Sequence, residues 1–399
     1  MFEYSRIGKV DDEHIAYNML FFVSMFGTWL IYRRVHQIAV VKNIVDCPDA
    51  RKLQKEPVPV LGGLSVFIGI IIALVVCQIF FGTSGLFSLM GLMVIMLCVG
   101  TVDDILSLAP TTRFVTEIAI MLAYIFASGA SINDFHGLWG IETISPYVAV
   151  PLTVIAGVGI INAINMIDGV DGLMSGYGIV IMSVFGTFFF MVKDLNMALT
   201  AFITAGALIP FFLHNVFGQK SKMFLGDGGS LMIGTMFAVF VVTILRSGSP
   251  SSHNVPEAFG LVPFTLAVLS VPVFDCLRVM AIRIRDKKSP FSPDKTHLHH
   301  MFIGLGFSHL GTTVCIIVLN LLVIFSWWVS YRLGASVGIQ LLVVIFVGLL
   351  NTFGLYKAVY HMKISKSRIY DRLTSMGCTT CVEDKPLWQR FRKMLDKRY

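Results

Sequence analysis

Apolar runs recur along this chain at roughly 15–32, 61–81, 86–102, 113–130, 148–166, 173–192, 196–217, 230–246, 261–281, 309–331 and 335–357. Each is long enough to cross a hydrocarbon core about 30 Å thick. None shows the alternation of apolar and polar positions, over segments of about ten residues, that marks a membrane barrel, so the predicted elements are helices. The expected fold is an all-α, polytopic membrane protein of ten or eleven transmembrane helices. Eleven runs put the N-terminus outside and the C-terminus in the cytoplasm. The first run follows Asp11, Asp12, Glu13 and His14, lacks a cationic leader, and is followed by Arg33 and Arg34. It reads as a spanning helix and not as a cleaved signal peptide. Residues 1–359 form the predicted membrane domain. Residues 360–399 form a basic tail in which Trp388, Phe391 and Met394 fall at helical spacing, as on a helix lying on the inner membrane surface.

Composition agrees with the pattern. Of 399 residues, 55% are hydrophobic and only 14% charged, and the mean hydropathy is +0.77. A soluble domain rarely carries so few charges. The net charge of +7 is uneven: of the Lys and Arg, only Arg6, Lys9, Lys193, Arg246 and Arg332 fall on the outer side. That asymmetry makes the other side cytoplasmic. The basic balance therefore reads as topology and attraction to anionic headgroups, with no nucleic-acid partner expected. Cys77, Cys98, Cys276 and Cys315 lie in apolar runs as small hydrophobes. Cys378 and Cys381 form a CxxC with no second pair to complete a zinc site.

The unusual polar residues fall almost entirely in the inner connections. Asp103 and Asp104 end a run, and adjacent carboxylates at a membrane boundary need a cation, donors or a shared proton. Asn162, Asn165, Asp168 and Asp171 recur every three positions, which places them on one slowly turning helical face of oxygen donors suited to a hard ion and phosphates. Asp227 sits in a Gly-rich turn opening a helix, where backbone N–H groups can cradle a phosphate. His297, His299 and His300 can bind zinc, move protons or contact a pyrophosphate; no neighbouring Cys or Glu motif supports zinc. In the first inner loop Arg51, Lys52 and Lys55 offer phosphate contacts, and Pro57 and Pro59 favour an extended chain.

At these residues the chain resembles the polyprenyl-phosphate N-acetylhexosamine-1-phosphate transferase family. The matching motifs, in family order, are Pro48-Asp-x-Arg-Lys, Pro59-x-x-Gly-Gly, Val102-Asp-Asp, Asn162-x-x-Asn-x-x-Asp-Gly-x-Asp-Gly, Phe224-Leu-Gly-Asp and His297-x-His-His. The resemblance implies transfer of a sugar 1-phosphate from a UDP-sugar to a polyprenyl phosphate, with release of UMP and a requirement for magnesium (manganese being the alternative ion). It is nearest the bacterial branch that loads N-acetylglucosamine 1-phosphate onto undecaprenyl phosphate for cell-surface polysaccharide or teichoic-acid linkage units, which implies the cytoplasmic membrane. Three positions depart from the pattern. Ser107 replaces a third Asp after the pair, Gln54 replaces a His, and Gly228 replaces the Ser of Gly-Asp-Ser-Gly-Ser.

The expected division of labour follows from the resemblance. Asp227, with Asn165, holds the metal. Asp103 takes a proton from the lipid phosphate and Asp104 orients it, or the two exchange roles, since the sequence does not order them. Arg51, Lys55, Asn162, Asn165, Asp168, Asp171, His297, His299 and His300 contact the substrate. A homodimer is compatible with such a chain, although no residue indicates one. Three other readings compete. A phosphatidyltransferase would need Asp-Gly-x-x-Ala-Arg, but Asp168-Gly-Val-Asp-Gly-Leu lacks Ala-Arg. A transporter would place its acids near the bilayer midplane, and a scaffold would need none.

Overall fold

The structure, a computed structural model, describes residues 10–47, 56–81, 87–290, 295–382, 385–397 and 399. The apolar runs are helices. In order they are α1 (Val10–Val41), α2 (Gly62–Phe81), α3 (Phe87–Leu106), α4 (Pro110–Ser128), α5 (Pro146–Met166), α6 (Leu173–Met191), α7 (Leu195–Phe217) and α8 (Gly226–Ile244). Then come α9 (Pro250–Asn254), α10 (Leu261–Val268), α11 (Ser270–Arg285), α12 (Leu298–Gly304) and α13 (His309–Arg332). The chain ends in α14 (Val337–Leu349), α15 (Leu355–Ile364), α16 (Arg368–Thr379) and α17 (Pro386–Asp396). Among the described residues nine helical spans are long and apolar enough to cross a bilayer, and the α10–α11 pair makes a tenth. The chain is an all-α polytopic membrane protein.

Local chemistry sets several helix boundaries. Pro110 opens α4 where its missing N–H costs nothing, and Gly129 closes it at φ 65° with its N–H on Ile125. The Asp194 carboxylate accepts from Met197 N and starts α7. Ser308 Oγ accepts from Gly311 N, 3.1 Å away, and starts α13.

α8 is buried on every side from Gly228 to Ile244 and forms the axis of the bundle, with α3 and α5 against it. At α3 the approach is backbone to backbone. A Cβ on Gly100 would meet the Asp227 carbonyl carbon at 2.4 Å, and one on Gly228 would meet Thr101 Oγ1 at 2.6 Å. The family's Ser has no room at position 228, which accounts for that departure.

The run read as a single span at 261–281 is broken. α10 and α11 meet at 58°. Asn320 of α13 satisfies the groups freed at the break: its Oδ1 accepts from Val271 N at 3.0 Å and its Nδ2 donates to Val268 O at 2.9 Å. A broken helix is tolerated at membrane depth only where such partners exist.

The strands are short. β1 (Val45–Asp46) pairs antiparallel with β2 (Val58–Pro59), the extended segment that Pro57 and Pro59 favour. Phe224 N then donates to Pro59 O and Gly62 N to Phe224 O, which ties the first inner loop to the entry of α8. β3 (Asp134–Leu138) and β4 (Ile141–Thr143) form an antiparallel hairpin in the connection between α4 and α5.

Candidate active site

Three helix ends meet at one end of the bundle: the C-termini of α3 and α5 and the N-terminus of α8. Asp104 ends α3, where a helix dipole disfavours an anion. Its carboxylate is turned onto α8, accepting from Asp227 N at 3.0 Å and Gly228 N at 3.4 Å. It thus caps a neighbouring helix, an arrangement that stabilises by about 1–2 kcal/mol when partly buried. The amides expected to cradle a phosphate are therefore occupied by protein. Asp103 accepts from Leu108 N at 2.7 Å and lies 3.5 Å from Arg113 Nη1, and its carboxylate is within hydrogen-bonding reach of Asp227.

Asp227 accepts from Asn165 Nδ2 at 2.7 Å, and the same amide reaches Ser230 Oγ at 2.8 Å. Arg113 is the common counter-ion of this cluster. Its Nη1 lies 3.8 Å from Asp227 Oδ2, and its Nε lies 3.6 Å from Glu117 Oε1. Glu117 is fully buried in α4 and accepts in turn from Asn162 Nδ2.

The expected stripe of four residues is split because α5 ends at Met166. Asn162 and Asn165 remain helical, while Asp168 and Asp171 lie in the turns that follow. Burial, then the Asp227 and Asp171 carboxylates, push Asp168 up to about 8. Asp171 goes the other way. Burial raises it, but a hydrogen bond from His309 and the charge of Lys222 outweigh that and hold it below the usual carboxylate range. Lys222 Nζ lies 2.6 Å and His309 Nδ1 2.5 Å from Asp171 Oδ2.

The histidine cluster divides by role. His297 Nδ1 lies 2.9 Å from Asp275 Oδ2, and Asp275 Oδ1 accepts from Arg278 Nε at 3.1 Å and Nη2 at 2.7 Å. This buried set pins the start of α12 to α11. His299 is also buried, against Gly169, where a Cβ would meet its Nε2 at 2.7 Å. Burial, then His300 and His297, push His299 down to about 3, so it is neutral. His300 reaches the open cleft.

That cleft, of about 990 Å³, is lined by Asp104, Asp168, Asp171, Asp227, His300 and Lys222 among others. Of the residues singled out from sequence, the structure brings these four acids and His300 to one cavity. Asn165 joins them through Asp227. Asn162, His297 and His299 lie behind it, held by Glu117, Asp275 and Gly169, and Asp103 stands beside Asp227 and Arg113. Arg51, Lys52 and Lys55 lie outside the described residues.

Sequence reasoning missed Arg113, Glu117, Lys222, Asp275, Arg278 and His309. Glu117 and the Asp275–Arg278 pair carried a signal, since ionisable residues inside apolar runs are costly. Lys222 and His309 carried none. Among the described residues no three His, Cys, Asp or Glu side chains are arranged to hold a metal unaided. Cys378 and Cys381 are free thiols beside Gly306.

A second cavity, about 520 Å³ and almost wholly apolar, opens on the flank between α4, α5, α10 and α11. Phe114, Ile118, Ile155, Gly159 and Leu277 line it, and Asn162 lies on its wall, one helical turn from Asn165.

A family model described as glycosyl transferase family 4 matches residues 86–245, which include Asp103, Asp104, the Asn/Asp motif and Asp227. The decaprenyl-phosphate N-acetylglucosaminephosphotransferase of Mycolicibacterium smegmatis is 30% identical over 295 residues, covering 69% of this chain and 72% of that protein. The undecaprenyl-phosphate alpha-N-acetylglucosaminyl 1-phosphate transferase of Yersinia pestis is 28% identical over 301 residues, covering 72% and 77%. A probable undecaprenyl-phosphate N-acetylglucosaminyl 1-phosphate transferase of Bacillus subtilis is 27% identical over 336 residues, covering 84% and 90%. Likeness of this extent, together with the clustered acids, means that the chain belongs to glycosyl transferase family 4, among the polyprenyl-phosphate N-acetylhexosamine-1-phosphate transferases that its motifs resemble.

Proposed function

We propose that this protein transfers N-acetylglucosamine 1-phosphate from its UDP-sugar to undecaprenyl phosphate, releasing UMP and starting a lipid-linked cell-surface glycan. The observation that carries the reading is the juxtaposition of two cavities. Asn162 walls an apolar groove, and one helical turn on Asn165 bonds to Asp227 in the polar, acid-rich cleft. A reaction between a nucleotide sugar and a prenyl phosphate needs one of each.

A lipid phosphate oxygen attacks the sugar-side phosphorus of the UDP-sugar. The bond from that phosphorus to the bridging oxygen breaks, and UMP leaves with the electron pair. Such a transfer is mainly a matter of holding two anions in line and screening their repulsion.

The donor set suits a divalent cation. Asp104, Asp168 and Asp227 bring three carboxylates together, and burial, then the neighbouring Asp227 and Asp171 carboxylates, push Asp168 up to about 8, so a cation there would relieve both. Because no protein cage exists among the described residues, the fit is to magnesium, which is usually bound by one or two carboxylates plus substrate phosphates. Asp227 and Asp168, with the Asn165 carbonyl, would hold the ion, which would neutralise the diphosphate.

The other residues act directly. Asp104, the member of the acid pair that lines the cleft, receives any proton still on the lipid phosphate, whose second pKa is about 6. Asp103 instead orients Arg113. Lys222, His300 and His309 supply donors towards the nucleotide phosphates. The groove on the flank takes the start of the prenyl chain. The excess of Lys and Arg in the inner loops supports a cleft on the cytoplasmic face of the bacterial inner membrane, where a membrane-impermeant nucleotide sugar is available.

The test is an assay of purified protein in detergent with UDP-N-acetylglucosamine, undecaprenyl phosphate and magnesium. UMP and a chloroform-soluble sugar product are expected, and a chelator should stop both. No turnover of any UDP-sugar by folded protein would overturn the reading.

A further inference from the structure

The sequence places the tail on the membrane surface, but the structure puts it against the cleft. Thr380, Val382, Trp388 and Arg392 form part of the cleft wall. The aromatic face of α17 does not point to lipid: Trp388 and Phe391 pack on Phe217, with ring centroids 4.4 and 5.1 Å away. The terminal Tyr399 packs on Tyr32, His36 and His214.

Two polar contacts of the tail end one residue away from the partners of Asp171. Asp396 accepts from Ser221 Oγ at 2.7 Å, Ser221 N at 3.0 Å and Gln219 N at 3.1 Å. The next residue is Lys222, whose ammonium meets Asp171. On the other side Ser308 N donates to Thr380 Oγ1 at 2.8 Å, and Ser308 Oγ donates to Thr380 O at 2.9 Å. The next residue is His309, whose Nδ1 meets the same carboxylate oxygen. One carboxylate of the site is thus held by two side chains, and each stands beside a backbone segment tied down by the tail.

We propose that Thr380 and Asp396 clamp the site, as positioning residues acting on Asp171 through His309 and Lys222. The number of hydrogen bonds on Asp396 supports this. Burial would raise its pKa, but the Ser221 hydroxyl and the backbone N–H groups of the loop hold it below the usual carboxylate range. It therefore stays charged at neutral pH and grips the loop throughout. A tail serving only as a membrane anchor would leave these donors to water. The clamp rests on the proposed reaction for its activity readout, but its geometry can be tested without it.

The experiment uses the full chain in detergent. In the exchange reaction Asp396→Ala is expected to lower kcat/KM by about 10- to 100-fold, the scale of a displaced positioning group, mostly through the KM of the nucleotide sugar. Lys222→Met should cause a similar loss, and the double variant should be no worse than Lys222→Met alone, because residues acting through one another are not additive. Thr380→Val should lose activity, and Thr380→Ser, which keeps the hydroxyl, should recover most of it. Multiplicative losses in the double variant, or unchanged constants in Asp396→Ala, would overturn the clamp. Hydrogen exchange separates this failure from failure of the proposed reaction. Even if the wild-type protein turns over no substrate, amides 219–222 should lose protection in Asp396→Ala, and amides 308–312 should lose it in Thr380→Val. Unchanged protection would also overturn it.

Discussion

In the proposed reaction the chemistry converges on Asp227, which Asn165, Arg113 and the entry of α8 all position. Asp227→Asn should reduce turnover by about 10³-fold or more, the scale of charge-stabilising groups in phosphoryl transfer, and should abolish the magnesium-dependent rise in thermal stability that UMP is expected to give the wild type. In Asp104→Asn the acidic limb of the pH–rate profile should change, since the proton acceptor at the cleft is gone. In Asp103→Asn kcat should fall, since the turn, Arg113 and the contact with Asp227 are all disturbed. His299 gives a stability prediction. Its pKa falls from 6.5 when unfolded to about 3 when folded, so the unfolded chain takes up a proton first. Its stabilisation is complete above pH 6.5 and is lost as pH falls towards 3, by up to about 1.4 kcal/mol per pH unit. Melting in detergent between pH 7 and 4.5 should show that slope, and His299→Gln should flatten it. At this scale the residue types were legible from sequence and their facing was not. Asp103 and Asp104 are neighbours in sequence, but the amides that turn Asp104 to the cleft belong to α8, more than 120 positions later.

Among the elements, the contact between α3 and α8 fixes the geometry of the acids. Gly228→Ala should cost about 1–3 kcal/mol, because the added methyl meets Thr101 Oγ1 and the Leu97 carbonyl oxygen in an already packed interface. A drop in melting temperature with the donor KM also raised would show that helix spacing and site geometry are one property. The helices themselves were legible, since an apolar run of about 20 residues has few alternatives in a bilayer. The break between α10 and α11 was not, because Asn320, from another helix, makes it tolerable. The end of α5 was also hidden: a spacing of three continues through Asp168 and Asp171 although the helix stops at Met166.

For the whole molecule, the account joins a cleft facing water to a groove facing lipid. Gly159 lines the groove, and a Cβ there meets nothing within 4 Å, so a large side chain can fill it without disturbing the core. Gly159→Phe should raise the KM for undecaprenyl phosphate while leaving the KM for the nucleotide sugar near wild type. Equal effects on both would remove the groove from the mechanism. The gathering of acids on one membrane face was legible from the pattern of inner loops. The return of the tail to that face was not, because an amphipathic helix reads the same whether it covers lipid or protein.

The central claim is that the bond to the sugar-side phosphorus is the one exchanged. The most direct measurement is to supply UDP-N-acetylglucosamine labelled at that phosphorus and follow the label. The label should appear in the lipid product while unlabelled UMP is released. Label released as UDP, with the sugar alone on the lipid, would contradict it.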